Sequence, residues 1–438
     1  MRKKLIPFFL LTVSSFISQA RPSFNTTQVP AVADSEAVEF KTYPAKSDGI
    51  FKLNAPVTYF VDVKNSYAGV QSGSLSYQIS SLDGKEVASH AIHIDLKPKS
   101  TRKFAFQMPA QASGFYKLNV MINVSDYDDT IRRVFGVDPA SIRSGHQKPV
   151  DFDDFWNRTR AELAKVDPQY RVTEHPELAK GNTQVYLIEM QSLHDFTVRA
   201  WMTIAKDRKP NEKFPVWLLL PGYQGNLVPI YGPRDLVVIS VNVRGQGNSR
   251  DVINTSRNDY LTTRLDDKDK YVMRGAIMDC MRALDFVFTR PELDKSNIIC
   301  AGGSMGGYLS LALASLDKRI TLCDANNPVF CDWRNLPPEN WPLRDVILYA
   351  NKNHYQVNNM LNNLDYFDLK NFVGNLKCRN ILAISLLDPL APPKNEYAMI
   401  NNMGKRDRFF VYPELGHEVP ESLFSFLSKW MMDNMGIF

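Results

Sequence analysis

The segment Asn297-Ile-Ile-Cys-Ala-Gly-Gly-Ser-Met-Gly-Gly-Tyr-Leu-Ser-Leu-Ala-Leu-Ala-Ser-Leu316 decides how this chain is read. Its first five residues form a short apolar run of strand type, and its last nine form an apolar run of helix type. Between them Gly302-Gly-Ser-Met-Gly306 matches the pattern G-x-S-x-G. Five common residues match such a pattern often by chance, so the context carries the weight. A serine at a tight strand-to-helix turn is held with its hydroxyl exposed, and the first helical N–H groups point where an oxyanion would form. Gly302 and Gly306 allow strand and helix to approach without side-chain clashes. Ser304 is therefore a candidate nucleophile, and a glycine-rich turn without chemistry is the competing reading.

Working outward, strands and helices alternate over much of the chain after residue 151. Phe214 to Leu220, Leu236 to Val243, Asn297 to Ala301, Ile320 to Asp324, Ile381 to Leu387 and Arg408 to Val411 read as strands. Helices are expected at 151–163, 268–289, 305–316, after Pro393, and at 420–435. Alternation of this kind predicts a mostly parallel sheet covered by helices on both faces over 151–438, and with the G-x-S-x-G turn it resembles an α/β-hydrolase.

In that arrangement an acid and a base follow the serine, each just after a strand. Two histidines follow Ser304. His354 sits in a polar stretch with no strand before it. His417 comes directly after the strand ending at Val411 and before the last helix, where a general base belongs; a helix-capping role is the alternative. Asp388 follows the run Ile381 to Leu387, at the strand's C-terminal tip, where open α/β sheets build their sites. Asp365 and Asp368 read as part of a helical or capping segment, and Asp407 precedes its strand. Asp388 is thus the candidate partner that holds the tautomer of His417. For an oxyanion hole, one backbone N–H comes from Met305. The second is expected from Tyr223 in the loop Pro221-Gly-Tyr-Gln-Gly225, after an early strand.

Upstream the texture changes. Residues 37–137 hold about seven short strands, with Val57, Tyr59, Val61 and Val63 at period two and Asp83-Gly84 as a hairpin turn. They predict an all-β immunoglobulin-like sandwich preceding the α/β domain, with 138–150 as a linker. Residues 1–20 have a basic start, an apolar run from Leu5 to about Ile17, and small residues at Ser18 and Ala20. That layout predicts a cleaved signal peptide and export to the periplasm or outside the cell; the run is too short for a span.

At 438 residues the chain exceeds one ordinary core. Its net charge is +5, and three of the positive charges are Arg2, Lys3 and Lys4. Nothing in this balance calls for nucleic acid, or for a membrane once the signal is cleaved. The five cysteines form no CxxC pair, so no zinc site is expected, and chemistry at a nucleophilic serine needs no metal or organic cofactor. Buried thiols are the simpler reading, although Cys323 and Cys331 could pair in an oxidising compartment.

Three motifs taken together, Arg244-Gly-Gln246, Gly302-Gly-Ser-Met-Gly306 and His417-Glu418, resemble in order and spacing those of the acetyl xylan esterase and cephalosporin C deacetylase family. The helix entry Lys148-Pro-Val-Asp-Phe-Asp-Asp-Phe-Trp156 and the run Asp388-Pro-Leu-Ala-Pro-Pro393 extend the likeness over roughly 140–438. The resemblance implies Ser304, Asp388 and His417 as the triad, Tyr223 and Met305 as backbone donors, and Arg244 and Gln246 as scaffolding beside the site. It implies removal of acetyl groups from sugar hydroxyls, with an acetylated saccharide such as a xylo-oligosaccharide as substrate, and assembly as a homo-oligomer, in the family a ring-like hexamer. Met305 stands where the family usually has Gln, and Pro221 where it often has His; the pocket edge is correspondingly less polar. A broad carboxylesterase or peptidase on the same fold, and an inert carbohydrate-binding protein, are the other readings.

Overall fold

The computed structural model describes residues 37–253 and 259–436. The predicted signal segment 1–20 lies outside the described residues.

The N-terminal part consists of β1 (Val38–Pro44), β2 (Ile50–Phe51), β3 (Val57–Asn65), β4 (Gln71–Ser81), β5 (Glu86–Leu96), β6 (Ser100–Met108), β7 (Gly114–Val124) and β8 (Tyr127–Val137). They form two sheets in the orders β1-β3-β6 and β2-β8-β7-β4-β5. Along β3 every second residue faces inward, and Val57, Tyr59, Val61 and Val63 are all fully buried. This alternation is what packs one sheet on the other in an immunoglobulin-like sandwich. The β4–β5 turn carries Gly84 at φ +91°, a conformation that costs glycine nothing.

The structure has one more strand than the pattern suggested: the run Phe51 to Val63 reads in sequence as one strand, but Phe51 is separate from Val57 to Val63. It lies in β2, which pairs in parallel with β8 in the other sheet. Two residues are too short for a period to register. Gly49, at φ +68°, makes the turn that leads the chain from β1 to β2.

After a 3-10 turn at Pro139–Ser141 the chain enters α1 (Phe152–Lys165), which buries Phe152, Phe155, Trp156, Thr159 and Leu163 along one face. Then come β9 (Arg171–Glu174), β10 (Thr183–Ser192), β11 (Phe196–Ala205), β12 (Phe214–Leu219), β13 (Val237–Asn242), α2 (Val272–Thr289), β14 (Leu293–Gly303), α3 (Met305–Leu316) and β15 (Leu322–Asn326). The remainder is α4 (Leu343–Lys352), α5 (Val357–Leu364), β16 (Arg379–Ser385), α6 (Pro393–Ile400), β17 (Arg408–Tyr412) and α7 (Glu421–Met435). Helix α2 begins at Val272, later than the expected start at 268; in the turn ahead of it the Asp267 carboxylate accepts the Asp269 N–H at 3.0 Å.

The nine strands β9–β17 form one sheet in the order β17-β16-β15-β14-β12-β13-β11-β10-β9. Pairing is antiparallel among β9, β10, β11 and β13 and parallel from β13 through β17. One face packs α7 through Leu423, Leu427, Trp430 and Met431, and the main core fills the other. Strand order reverses at β12, whose neighbours are β13 and β14. Such a reversal is where open α/β sheets place their site crevice, at the strand C-termini.

Candidate active site

Ser304 stands in that crevice, between the last residue of β14 and the first of α3. Its backbone, at φ 58° and ψ −122°, lies outside the regions open to ordinary residues and costs about 1–3 kcal/mol. Neighbouring contacts hold it there. The Ser304 N–H donates to Asn326 O at 2.8 Å, and its carbonyl accepts the Tyr308 N–H at 3.0 Å. A Cβ on Gly302 would sit 2.7 Å from Leu220 O, and one on Gly306 would sit 2.4 Å from the same oxygen. Both positions therefore require glycine for α3 to pack against the end of β12.

Asp388 and His417, which lie after β16 and β17, meet: His417 Nδ1 is 2.6 Å from Asp388 Oδ2. Asp388 is buried, while the His417 side chain keeps 22% of its exposure. The other carboxylate oxygen, Oδ1, accepts the N–H groups of Leu390 at 2.8 Å and Ala391 at 2.9 Å. Three donors therefore converge on one carboxylate and fix its plane. With Oδ2 accepting, the imidazole proton sits on Nδ1 and Nε2 is left to accept. The two loops are also stitched together by Leu386 N–H to Tyr412 O at 2.9 Å and Leu387 N–H to Leu415 O at 3.0 Å. Among the described residues Ser304 Oγ makes no hydrogen bond to His417. Such bonds are commonly long in unliganded sites and tighten around a substrate.

Met305 opens α3, so its N–H has no partner within the helix. Tyr223 follows β12 in a loop closed by Gly225 N–H to Gly222 O at 2.9 Å. Its hydroxyl accepts the Leu261 N–H at 3.2 Å, and its ring stands edge-on to Tyr260 at 5.7 Å and Trp341 at 5.2 Å. Arg244 is buried and grips Asp279 with Nε at 2.9 Å and one terminal nitrogen at 2.7 Å, while also donating to Leu193 O at 3.0 Å. The backbone carbonyl of Arg244 accepts the Tyr260 hydroxyl at 3.1 Å. Arg244 thus reaches Tyr223 through the Tyr260 ring. Gln246 donates to Met305 Sδ at 3.7 Å. Arg244 touches a neighbour of one candidate donor, and Gln246 touches the side chain of the other.

The set-aside candidates are occupied elsewhere. Asp365 pairs with Arg334 at 2.7 Å, Asp368 accepts the N–H groups of Asp332 and Trp333, Asp407 accepts Asn380 N–H, and His354 is exposed. No two cysteines are joined; Cys323 and Cys331 are separate buried thiols. Among the described residues no group of three His, Cys, Asp or Glu side chains could hold a metal ion, and no helix is long and apolar enough to cross a membrane.

Sequence reasoning missed Asp279, although an acid in the middle of the otherwise apolar stretch of α2 is a visible anomaly. It also missed Ser385 and Asn327, whose side chains donate to Glu418 O at 2.7 and 3.0 Å and hold the residue after His417. Nothing local in the sequence marks either one.

A parallel sheet with a strained Ser304 turn and an Asp388–His417 pair at its C-terminal edge is the architecture of an α/β-hydrolase. The acetyl xylan esterase family model matches residues 140–433, and the chain belongs to that family. Acetyl esterase Axe7A of Xylanibacter ruminicola is 26% identical over 285 residues, which cover 61% of this chain and 63% of that protein. The chain thus spans a little less than two thirds of that relative. Two solved structures share the fold. Acetyl xylan esterase 1 from Thermoanaerobacterium sp. is 24% identical with a TM-score of 0.61, covering 67% of this chain and 97% of its own. Acetyl xylan esterase from Paenibacillus sp. R4 is 24% identical with a TM-score of 0.60, covering 67% and 98%. The sandwich lies outside the matched family segment.

Proposed function

We propose that this protein is an exported serine esterase that removes acetyl groups from acetylated xylo-oligosaccharides or related sugars through an acyl-enzyme. Ser304 Oγ attacks the acetyl carbonyl and passes its proton to His417 Nε2. Asp388 holds the Nδ1–H and stabilises the imidazolium. The N–H groups of Tyr223 and Met305 receive the oxyanion as the tetrahedral intermediate forms. Collapse breaks the C–O bond to the sugar, and His417 returns the proton to the departing hydroxyl oxygen. A water then attacks the acetyl-serine by the same route, releasing acetate and restoring Ser304.

The observation that carries this reading is the 2.6 Å Asp388–His417 contact at the sheet edge that also presents the strained Ser304 turn. Family membership supports acetyl esters as the substrate class. The layout of residues 1–20 supports export; sequencing the mature N-terminus from the native host tests it.

The functional test is acetate release from acetylated xylo-oligosaccharides and from p-nitrophenyl acetate, by the wild type and by Ser304→Ala. Release from both, abolished in the variant, is the expected result. Turnover of the small ester alone would retain the mechanism and reject the saccharide. Undiminished turnover in Ser304→Ala would reject the mechanism.

A further inference from the structure

We propose that the N-terminal sandwich is a positioning element for the Asp388–His417 pair, acting through Gly49 on the loop that carries His417. The proposal rests on the triad reading above and adds a role for the part of the chain outside the family segment.

His417 is poorly supported by its own strand. Among the described residues β17 is an edge strand with β16 as its sole partner in the sheet, so no further described strand flanks the loop after it. The far end of that loop is clamped at Glu418 O by Ser385 and Asn327. Its near end, at Pro413 and Glu414, meets the sandwich.

Gly49 is buried at this seam. A Cβ built on it would lie 2.8 Å from Pro413 Cβ and 3.2 Å from Leu386 Cδ1. Pro413 leads toward His417, and Leu386 leads toward Asp388. One backbone position of the sandwich thus touches both loops that bring the acid and the base together. Contacts around it keep the seam closed. Phe115 of β7 lies 5.3 Å from the Tyr397 ring of α6, which lies 5.7 Å from Phe409 of β17. Phe115 and Val134 are buried in the core of the α/β domain rather than in that of the sandwich. The Asn401 side chain donates to Pro139 O and Ile142 O, each at 2.9 Å, tying the connecting segment to the end of α6. Arg133 approaches Glu414 at 3.9 Å, a half-exposed contact at the rim that adds little.

The seam is therefore packed by apolar rings and tied by hydrogen bonds, and Gly49 meets it beside the catalytic loops. A push there moves His417 relative to Ser304, and since misplacement by about 1 Å costs about 100-fold in rate, a smaller shift is expected to cost less but measurably.

The test uses the full chain. In Gly49→Ala the new methyl must push Pro413. Gly181→Ala is its control: that glycine has φ +52°, also left-handed, with nothing within 4 Å of a built Cβ, so it carries the same kind of backbone strain without the push. With p-nitrophenyl acetate, Gly49→Ala is expected to lower kcat about 10-fold with KM little changed. Gly181→Ala is expected to leave both as they are, and Pro413→Gly added to Gly49→Ala to recover most of the loss. Unchanged kcat in Gly49→Ala, or equal losses in the two alanine variants, would overturn the proposal. If Ser304→Ala is inert while Gly49→Ala turns over at the wild-type rate, positioning fails alone. If Ser304→Ala is fully active, the triad reading has failed.

Discussion

Asp324 is a carboxylic acid in the middle of the sheet, and replacing it with Asn should remove a pH dependence from the stability of this protein. It sits on β15, in register with Ala301 of β14 and Ile381 of β16, both in the apolar layer beneath α7. One oxygen accepts the Asn326 side-chain N–H at 3.2 Å, and the other has no partner among the described residues. Burial pushes its pKa from 3.8 up to about 7, with the Asn326 hydrogen bond opposing it. Unfolded, the group titrates near 3.8. Between that value and about 7 the folded protein keeps a proton that the unfolded chain has released. Stability therefore falls as pH rises through this window and levels off above it. The whole shift corresponds to about 4 kcal/mol, of which roughly 2.5 kcal/mol falls between about pH 5 and about pH 8. Asn has the same shape, keeps an acceptor for Asn326 and cannot ionise. Urea unfolding of wild type and Asp324→Asn at both pH values is the assay, and the advantage of the variant should grow by about that amount toward the alkaline side. An advantage that stays the same at the two pH values would refute the reasoning. Because Asn326 O also holds the Ser304 N–H, the same ionisation falls one residue contact from the candidate nucleophile.

Asp388→Asn should leave far-UV circular dichroism unchanged and lower kcat by about 10⁴, since an amide facing His417 Nδ1 supports the wrong tautomer; a loss below 10-fold would argue against its role. Met305→Ala keeps the backbone N–H but empties a fully buried site, so kcat should stay within about 10-fold while unfolding free energy drops by about 2–5 kcal/mol. A rate loss matching that of Ser304→Ala would mean that the Met305 side chain, not its N–H, matters. Arg244→Lys replaces a two-point grip on buried Asp279 with one ammonium and should cost about 3 kcal/mol, read in thermal unfolding.

Legibility along the chain followed the range of the interactions. The strand, turn and helix around Ser304 are readable because hydrophobic period, glycine spacing and helix onset act over a few residues. The structure extends the strand through Gly303 and starts the helix at Met305. The sandwich strands are readable for the same reason, except β2, whose two residues hold no period. The start of α2 at Val272 was less legible, because the charged run Asp266-Asp-Lys-Asp-Lys270 ahead of it carries no hydrophobic period that separates a turn from a first helical turn.

What the sequence by itself determined is local: alternation in β3, an apolar helix after Ser304, the glycines at 302 and 306, and the order in which a serine, an aspartate and a histidine follow their strands. Only the tertiary structure decided that the β1–β2 turn rests on the loop before His417, that Asp279 receives Arg244, and that Ser385 and Asn327 meet at one carbonyl. Those contacts join residues distant in the chain through packing and hydrogen bonds whose partners exist only once the sheet is assembled. A composition or a period records which face of an element is buried, and it carries no term for what that face will meet.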